Sequence, residues 1–247
     1  MKTLQNKIAL VTGGNSGIGY AAARVLAERG ATVVITGRRR EAVETAAREL
    51  GVFGFTADQA VLEDTDALVQ YIREQFGRLD ILFINAGIAD GGSNIENTTA
   101  EYFDRMMNIN FRGAYFTLNR FIPLLPEGAS VVFLSSIVAQ MYAPQSSVYQ
   151  ASKAALNSIA KTAAAELATR KIRVNIVSPG PTRTEVLNKS GLSEAQLQQV
   201  FDHLTERIPL KKIGTADDVA GLVAYLSEDQ AGFITGSEFV IDGGLTL

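Results

Sequence analysis

The chain has 247 residues, of which 47% are apolar, and its 26 acidic and 23 basic residues leave a net charge of −3. The lack of cysteine excludes disulfides, thiolate nucleophiles and cysteine-ligated metal clusters, and the single histidine excludes a multi-histidine metal site. We therefore expect no metal. The mild acidity gives no general attraction to nucleic acid or to an anionic membrane, so neither is expected as a partner.

The N-terminal residues contain no apolar stretch of signal-peptide length, and no segment approaches the ~20 apolar residues of a spanning helix. A cytoplasmic location is therefore expected.

Short runs rich in Val and Ile alternate with helical patterns along nearly the whole chain. The predicted strands cover 8–12, 32–36, 52–56, 81–84, 131–135, 174–177 and 238–241. The predicted helices cover 18–29, 40–50, 63–76, 99–121, 148–169 and 215–227. Continuous apolar strands separated by helices are typical of a parallel sheet covered on both faces. The sequence therefore predicts an α/β fold, and the absence of a linker predicts one domain over 1–247.

Residues 182–212 interrupt this alternation with scattered apolar positions, which predict one or two short helices. A connection of this length inside a compact domain is usually functional, so we interpret it as a lid over the substrate.

The first strand leads into a glycine-rich loop, in which Gly13, Gly17 and Gly19 precede a helix. The spacing differs from the G-x-G-x-x-G fingerprint. Glycines at a strand-to-helix turn let the backbone approach a phosphate, and the helix N-terminus attracts its charge. This position favours a nucleotide site over the alternative, a turn with a purely structural role.

The second strand ends in Thr36-Gly37 followed by Arg38, Arg39 and Arg40. A carboxylate here would hold a ribose diol, whereas guanidinium groups pair with a 2′-phosphate. The sequence therefore favours NADP(H) as the cofactor, with NAD(H) as the weaker alternative. Arg39 and Arg40 could instead lie on the first turn of an exposed helix without contacting a cofactor. We prefer this interpretation for Arg40.

Tyr149 and Lys153 are four residues apart and share one face of a predicted helix. A nearby ammonium favours the phenolate, so Lys153 could lower the pKa of Tyr149 and make it a general acid/base. The alternative is an ordinary pair of helix residues, since Tyr and Lys at this spacing also occur by chance, and the pair alone does not decide between the two.

Six motifs together resemble the short-chain dehydrogenase/reductase family over the whole chain. In order, they are Thr12-Gly13-x-x-x-Gly17-x-Gly19, Asn85-Ala86-Gly87, Asn110, Ser136, Tyr149-x-x-x-Lys153 and Pro179-Gly180. Tyr149 follows Ser136 by 13 residues, the usual separation in the family, which selects Ser136 over Ser135.

The resemblance implies a single Rossmann-like, doubly wound domain with a seven-stranded parallel sheet in the order 3-2-1-4-5-6-7 and helices on both faces. It implies that Tyr149 is the general acid/base and that Lys153 lowers its pKa and binds the nicotinamide ribose. Ser136 would polarise the substrate oxygen, and Asn110 would hold a water in a proton relay to Lys153. Family members are usually tetramers, so a homotetramer is expected.

The same resemblance implies the residues that bind the cofactor and the substrate. The cofactor set is Gly13, Asn15, Ser16, Gly17, Ile18, Gly19, Arg38, Arg39, Asp58, Asn85, Ala86, Gly87, Tyr149, Lys153, Pro179, Gly180, Thr182 and Thr184. The substrate set is Ser136, Val138, Met141, Tyr149 and Leu187. Asp58 and Thr184 have an alternative interpretation as helix caps.

Together these features predict an NADP(H)-dependent oxidoreductase that transfers hydride between the nicotinamide and a carbonyl or secondary alcohol. A protein that binds NADP(H) as a sensor or scaffold, with little or no turnover, is the alternative. An extended-family epimerase or dehydratase would need a larger C-terminal substrate domain than 247 residues provide.

Overall fold

The architecture comes from a computed structural model that describes residues 2–89, 91–183 and 194–247. None of the helices that it describes combines the length and the apolar character that a membrane span requires.

Nine strands are present in the described residues. They are β1 (Ile8–Val11), β2 (Thr32–Gly37), β3 (Phe53–Thr56), β4 (Ile81–Ile84), β5 (Ser130–Leu134), β6 (Arg173–Pro179), β7 (Thr182–Arg183), β8 (Gly214–Thr215) and β9 (Glu238–Ile241). Seven of them form one parallel sheet in the order β3-β2-β1-β4-β5-β6-β9. This confirms the predicted order, since the predicted seventh strand is β9. The short strands β7 and β8 pair with each other in a separate parallel ribbon.

Eight α-helices accompany these strands in the part of the chain that the structure describes. They are α1 (Gly17–Glu28), α2 (Arg40–Leu50), α3 (Leu62–Phe76), α4 (Ala100–Met107), α5 (Ala114–Phe121), α6 (Ser147–Leu167), α7 (Glu194–Arg207) and α8 (Ala216–Ser227). Helices α1, α2 and α8 pack on one face of the sheet, and α3, α5 and α6 pack on the other. Neighbouring residues of β1 face opposite cores: Leu10 joins one cluster, Ala9 and Val11 the other.

The predicted helix over 99–121 is present as one run of helical backbone over 100–121, with a π-helical turn over Asn108–Gly113 between α4 and α5. The Gln59 side-chain amide, from the loop after β3, donates to the Ile109 carbonyl over 3.0 Å, and a Cβ at Gly113 would lie 2.4 Å from the Gln59 carbonyl oxygen. The prediction of a helix is therefore confirmed, but the pattern did not predict the widened turn, in which the Asn110 side chain is fully buried.

The predicted lid segment, 182–212, contains β7 and the 14-residue helix α7. His203, the single histidine, lies exposed on α7. Residues 184–193 lie outside the described part, and with them the predicted site residues Thr184 and Leu187.

Candidate active site

Four strands bring the predicted motifs to one edge of the sheet. The glycine loop follows β1, Asn85 follows β4, Ser136 follows β5, and Pro179 ends β6. Because these strands are parallel, their carboxyl ends meet, and ligands of open α/β sheets bind in the crevice outside those ends.

The glycine loop is closed by the chain itself. The Asn85 side-chain amide donates to the carbonyls of Thr12, over 2.8 Å, and Gly13, over 3.2 Å. A Cβ at Gly19 would lie 2.4 Å from the Gly13 carbonyl oxygen, so the loop has this shape only with glycine at that position. Asn85, expected only as one of the cofactor-binding residues, therefore also closes the glycine loop.

The N-terminus of α1 follows this loop without a side-chain cap. Ser16 occupies the cap position, but its side chain makes no capping hydrogen bond, and the first turn contains no acidic residue. The first main-chain N–H groups of a helix have no partner within the helix, and the helix dipole adds a partial positive charge there. This end of α1 therefore suits an anion such as a diphosphate.

The three arginines after β2 differ in their contacts. Arg40 forms an ion pair with Glu44 at 2.7 Å, one turn along the exposed face of α2, which agrees with its interpretation as a helix-surface residue. Arg38 and Arg39 are exposed and have no salt-bridge partner in the described part of the chain. A Cβ at Gly37 would fall 2.3 Å from the Asn15 side-chain oxygen, so the Asn15 side chain occupies the space above Gly37. An acidic residue at position 37 would have to displace it.

Asp58 and Gln59 lie in the loop after β3. The Asp58 carboxylate accepts from the Ala60 N–H at 2.9 Å, and α3 begins at Leu62 with Val61 as its N-cap. The helix-capping alternative for Asp58 is therefore wrong. Gln59 is buried and, besides its bond to Ile109, donates to the Ala86 carbonyl over 3.1 Å. Gln59 belongs to no motif, and the single sequence signal for it is its place directly after Asp58.

Lys153 lies inside the protein near two other predicted site residues. Its side chain is 4% exposed, and its Nζ donates to the Leu134 carbonyl over 2.9 Å. The same Nζ lies 5.9 Å from the centre of the Tyr149 ring. A Cβ at Gly87 would lie 3.6 Å from this Nζ and 3.2 Å from the Asn110 side-chain oxygen. The structure thus brings Gly87, Asn110, Tyr149 and Lys153 together.

The expected lowering of the Tyr149 pKa is not what the structure shows. Burial raises the pKa of Tyr149, and the hydrogen bond with the Ser136 side chain opposes this only in part. Burial also lowers the pKa of Lys153 to about 8. The physical reason in both cases is desolvation, which disfavours the charged form of each group. Tyr149 in the free protein is therefore a neutral phenol at pH 7.

The two neighbouring serines after β5 have different surroundings. The Ser135 hydroxyl is buried and contacts the Lys153 main-chain carbonyl at 3.5 Å. Ser136 caps a 3₁₀ turn over Ile137–Gln140, and its hydroxyl lies 3.5 Å from the Pro179 carbonyl. Ser136 is the serine that interacts with Tyr149. Val138 and Met141, from the predicted substrate set, lie in and directly after this turn and are half-buried.

Asn110 is fully buried, and its amide binds the chain itself. Its oxygen accepts from the Ile88 N–H at 2.8 Å, and its nitrogen donates to the Ile88 carbonyl over 2.8 Å. The nitrogen also lies 3.3 Å from the Ser152 hydroxyl, which donates to the Tyr149 carbonyl over 2.7 Å. Asn110 therefore fastens the loop after β4 to α6, in addition to its expected place in a water relay.

The segment after β6 packs against the C-terminal turn. The Gly180 N–H donates to the Ile241 carbonyl over 2.9 Å, and a Cβ at Gly180 would lie 2.6 Å from that of Asp242. Thr182 donates to the Gly180 carbonyl over 3.0 Å. Gly180, expected as one of the cofactor-binding residues, is therefore also required by packing within the chain.

Comparison with known proteins agrees with this geometry. The model of the family described as "Enoyl-(Acyl carrier protein) reductase" matches residues 13–246. The chain is 37% identical to an uncharacterized oxidoreductase of Methylorubrum extorquens, covering 99% of this chain and 100% of that protein. It is 36% identical to the NADP-dependent (R)-specific alcohol dehydrogenase of Lentilactobacillus kefiri, covering 98% of each.

A solved structure of a Serratia marcescens short-chain dehydrogenase/reductase variant superposes with a TM-score of 0.90, at 32% identity over 99% of both chains. The motifs at the sheet edge, the strand order and these similarities agree. The chain belongs to the short-chain dehydrogenase/reductase family.

Proposed function

We propose that the protein is an NADP(H)-dependent oxidoreductase that interconverts a carbonyl group and a secondary alcohol, with Tyr149 as the general acid/base. The observation that carries this proposal is the meeting of Tyr149, Ser136 and Lys153 beside the glycine loop. The Lentilactobacillus kefiri relative is named an NADP-dependent alcohol dehydrogenase, which supports the proposal by analogy.

The residues present fit a phosphorylated dinucleotide. The uncapped N-terminus of α1 would hold the diphosphate, with Gly13, Asn15, Ser16, Gly17, Ile18 and Gly19 around it. Arg38, with Arg39 beside it, would pair with a 2′-phosphate, since neither has a salt-bridge partner among the described residues. The remaining proposed contacts come from Asp58, Asn85, Ala86, Gly87, Tyr149, Lys153, Pro179, Gly180, Thr182 and Thr184.

The proton chemistry follows from the protonation states of the site. When bound, the nicotinamide supplies or accepts the hydride. The neutral Tyr149 hydroxyl protonates the substrate oxygen as negative charge develops on it, and the Ser136 hydroxyl stabilises that charge by donating a hydrogen bond. The Lys153 ammonium then stabilises the phenolate that remains. In the opposite direction, Tyr149 first releases its own proton to solvent, and the phenolate then accepts the alcohol proton.

We also propose which parts of the chain line and cover the substrate pocket. Ser136, Val138, Met141, Tyr149 and Leu187 would line the substrate pocket, and the segment 182–212 would cover it within a single domain over 1–247. The turn and loop after β5 carry little charge, and the Tyr142 ring there is 97% exposed. This composition suits a small carbonyl compound.

The proposal is tested by following NADPH absorbance with a panel of ketones, aldehydes and one enoyl thioester, for the wild-type protein and Tyr149→Phe. We expect carbonyl reduction by the wild type and a loss of at least about 100-fold in kcat for Tyr149→Phe, the size of a general acid/base contribution. The variant should still bind NADPH in calorimetry.

Two outcomes would contradict the proposal. If the wild type binds NADPH but turns over no member of a broad panel, the sensor or scaffold alternative is favoured. If only the enoyl thioester is reduced, or if Tyr149→Phe retains full activity, the assigned carbonyl chemistry is wrong.

A further inference from the structure

The carboxylate of Glu238, on the edge strand β9, receives three hydrogen bonds from three different elements. Its Oε1 accepts from the Asn157 side chain at 2.8 Å and from the Ser178 hydroxyl at 2.6 Å. Its Oε2 accepts from the Gln140 side chain at 3.0 Å.

Each donor lies close in sequence to one part of the candidate active site. Gln140 ends the 3₁₀ turn that Ser136 begins. Asn157 follows Lys153 by one helical turn, so Tyr149, Lys153 and Asn157 share a face of α6. Ser178 directly precedes Pro179 and Gly180 at the end of β6. A single carboxylate therefore connects the segments that carry Ser136, the Tyr149–Lys153 pair and the Pro179-Gly180 turn.

Two of the three donors are buried and therefore depend on the Glu238 carboxylate as their acceptor. Ser178 is fully buried and Asn157 is 8% exposed, whereas Gln140 lies at the surface. The Asn157 side-chain oxygen has no hydrogen-bond partner within the described structure, so its bond to Glu238 is what orients this amide. A hydroxyl or amide in such a position requires an acceptor, because an unpaired buried polar group is costly.

We propose that Glu238 is a positioning residue for the reaction: it sets the placement of Ser136 relative to Tyr149 by fixing the 3₁₀ turn to α6 and β6. This inference rests on the proposed oxidoreductase function. The reason that placement matters is that proton transfer and oxyanion stabilisation need the two hydroxyls at one substrate oxygen, and a displacement of about 1 Å lowers rates up to about 100-fold.

Glu238→Gln removes one of the three bonds selectively. The Gln side-chain oxygen can still accept from Asn157 and Ser178, whereas its NH₂ group would face the NH₂ group of Gln140. Gln140→Leu breaks the same bond from the exposed side, with little risk to folding. The exchange Gln140→Glu with Glu238→Gln restores the bond with donor and acceptor reversed.

We expect Glu238→Gln and Gln140→Leu each to lower kcat for carbonyl reduction about tenfold, with the Kd for NADPH unchanged within twofold. The double exchange should recover kcat to within about threefold of the wild type. Hydrogen–deuterium exchange of a peptide spanning residues 135–141 should be faster in both single variants than in the wild type. In the double variant, Gln140→Glu with Glu238→Gln, the rate should return towards that of the wild type.

Glu228→Gln is the matched control. Glu228 is a buried carboxylate that accepts from the Thr3 hydroxyl and the Arg29 guanidinium, and its main chain bonds Arg173 at the amino end of β6. Its loss should lower the unfolding midpoint and leave kcat unchanged within twofold.

A purely structural role of Glu238 would appear as lower unfolding midpoints of the single variants with wild-type kcat. It would also appear if the double variant, Gln140→Glu with Glu238→Gln, recovered stability without recovering kcat. Either result overturns the inference. If the wild type shows no turnover at all, the proposed function fails, and the exchange rates of the 135–141 peptide alone then decide whether Glu238 positions the turn.

Discussion

Lys153 is a cation that the fold places almost completely inside the protein, beside a phenol rather than a carboxylate. Its Nζ donates a hydrogen bond to the Leu134 carbonyl, and burial lowers its pKa from 10.5 to about 8. The charged form is therefore destabilised by folding, which is the cost of placing an ammonium beside Tyr149 and Gly87. The position of Lys153 therefore lowers the stability of the fold in order to place an ammonium group in the candidate active site.

The first prediction concerns this cost. Below pH 8 Lys153 is charged in both the folded and the unfolded chain, and its burial then destabilises the fold by about 3 kcal/mol. Between pH 8 and 10.5 the folded chain releases the proton before the unfolded chain does, so the contribution of Lys153 to stability improves as pH rises. We expect cofactor-free Lys153→Met to be more stable than the wild type at pH 7 in urea denaturation, by up to about 3 kcal/mol.

That advantage should shrink as the pH approaches 10, because neutral Lys153 no longer carries the penalty. An equal difference at pH 7 and pH 10 would show that packing, and not the charge, causes it.

The second prediction concerns the arginines after β2. Arg38→Ala should raise the KM for NADPH tenfold or more and leave the KM for NADH nearly unchanged, since a hydrogen bond to a charged group contributes about 1.5–3 kcal/mol. Arg40→Ala is the control, because Arg40 already pairs with Glu44. Steady-state kinetics with both cofactors measure the effect. Equal efficiency of the wild type with NADH and NADPH would refute the proposed cofactor preference.

At the scale of elements, the π-helical turn between α4 and α5 is the feature that most changes the site. It directs Asn110 inward, and two bonds to Ile88 then hold the loop after β4. The turn also contacts the loop after β3, through Gln59. Two loops of the active-site edge are thus connected by one irregular turn of helix.

The third prediction tests the closeness of that contact. Gly113→Ala would place a Cβ 2.4 Å from the Gln59 carbonyl oxygen, so it should destabilise the fold by about 1–3 kcal/mol. The matched control is Gly221→Ala in α8, where a Cβ meets nothing within 4 Å. That change should stabilise the fold by about 0.5–1 kcal/mol through helix propensity. Chemical denaturation measures both, and a neutral Gly113→Ala would contradict the described packing.

At the scale of the whole molecule, several large apolar side chains remain exposed. Phe103 and Tyr115, on α4 and α5, are 46% and 45% exposed. Phe233, Val240 and Leu247 are exposed around β9 and the C-terminus. Exposed large apolar side chains are typical of protein–protein contact, and two separate groups of them permit an assembly with two kinds of interface. We therefore propose the homotetramer that the family resemblance implies.

The fourth prediction follows from these surfaces. The double substitution Phe103→Glu with Tyr115→Glu should convert a tetramer into a dimer in light scattering, because it places charges in one interface only. Phe53→Glu is the control: Phe53 is 48% exposed on the opposite edge strand, β3, and the variant should remain tetrameric. A monomeric wild type would refute the proposed assembly.

Much of the fold followed from local patterns. Val- and Ile-rich strands alternating with amphipathic helices predicted the sheet, and the family motifs predicted its strand order, which the structure confirms. Local patterns missed one feature that involves a distant group. The helix predicted over 99–121 is present, but it contains a π-helical turn where Gln59, far away in sequence, bonds the Ile109 carbonyl. The cytoplasmic location stays a prediction.

The sequence by itself determined which chemical groups this protein has and the order in which strands present them. Composition left tyrosine, lysine, serine and carboxylates for proton transfer, and the resemblance of the motifs to the family indicated Tyr149, Lys153 and Ser136. Only the tertiary structure decided how these groups ionise and what holds them. Desolvation depends on the surroundings of a side chain, so burial raises the Tyr149 pKa although Lys153 is near. The bonds from Gln140, Asn157 and Ser178 to Glu238 join residues distant in sequence, and only folding brings them together.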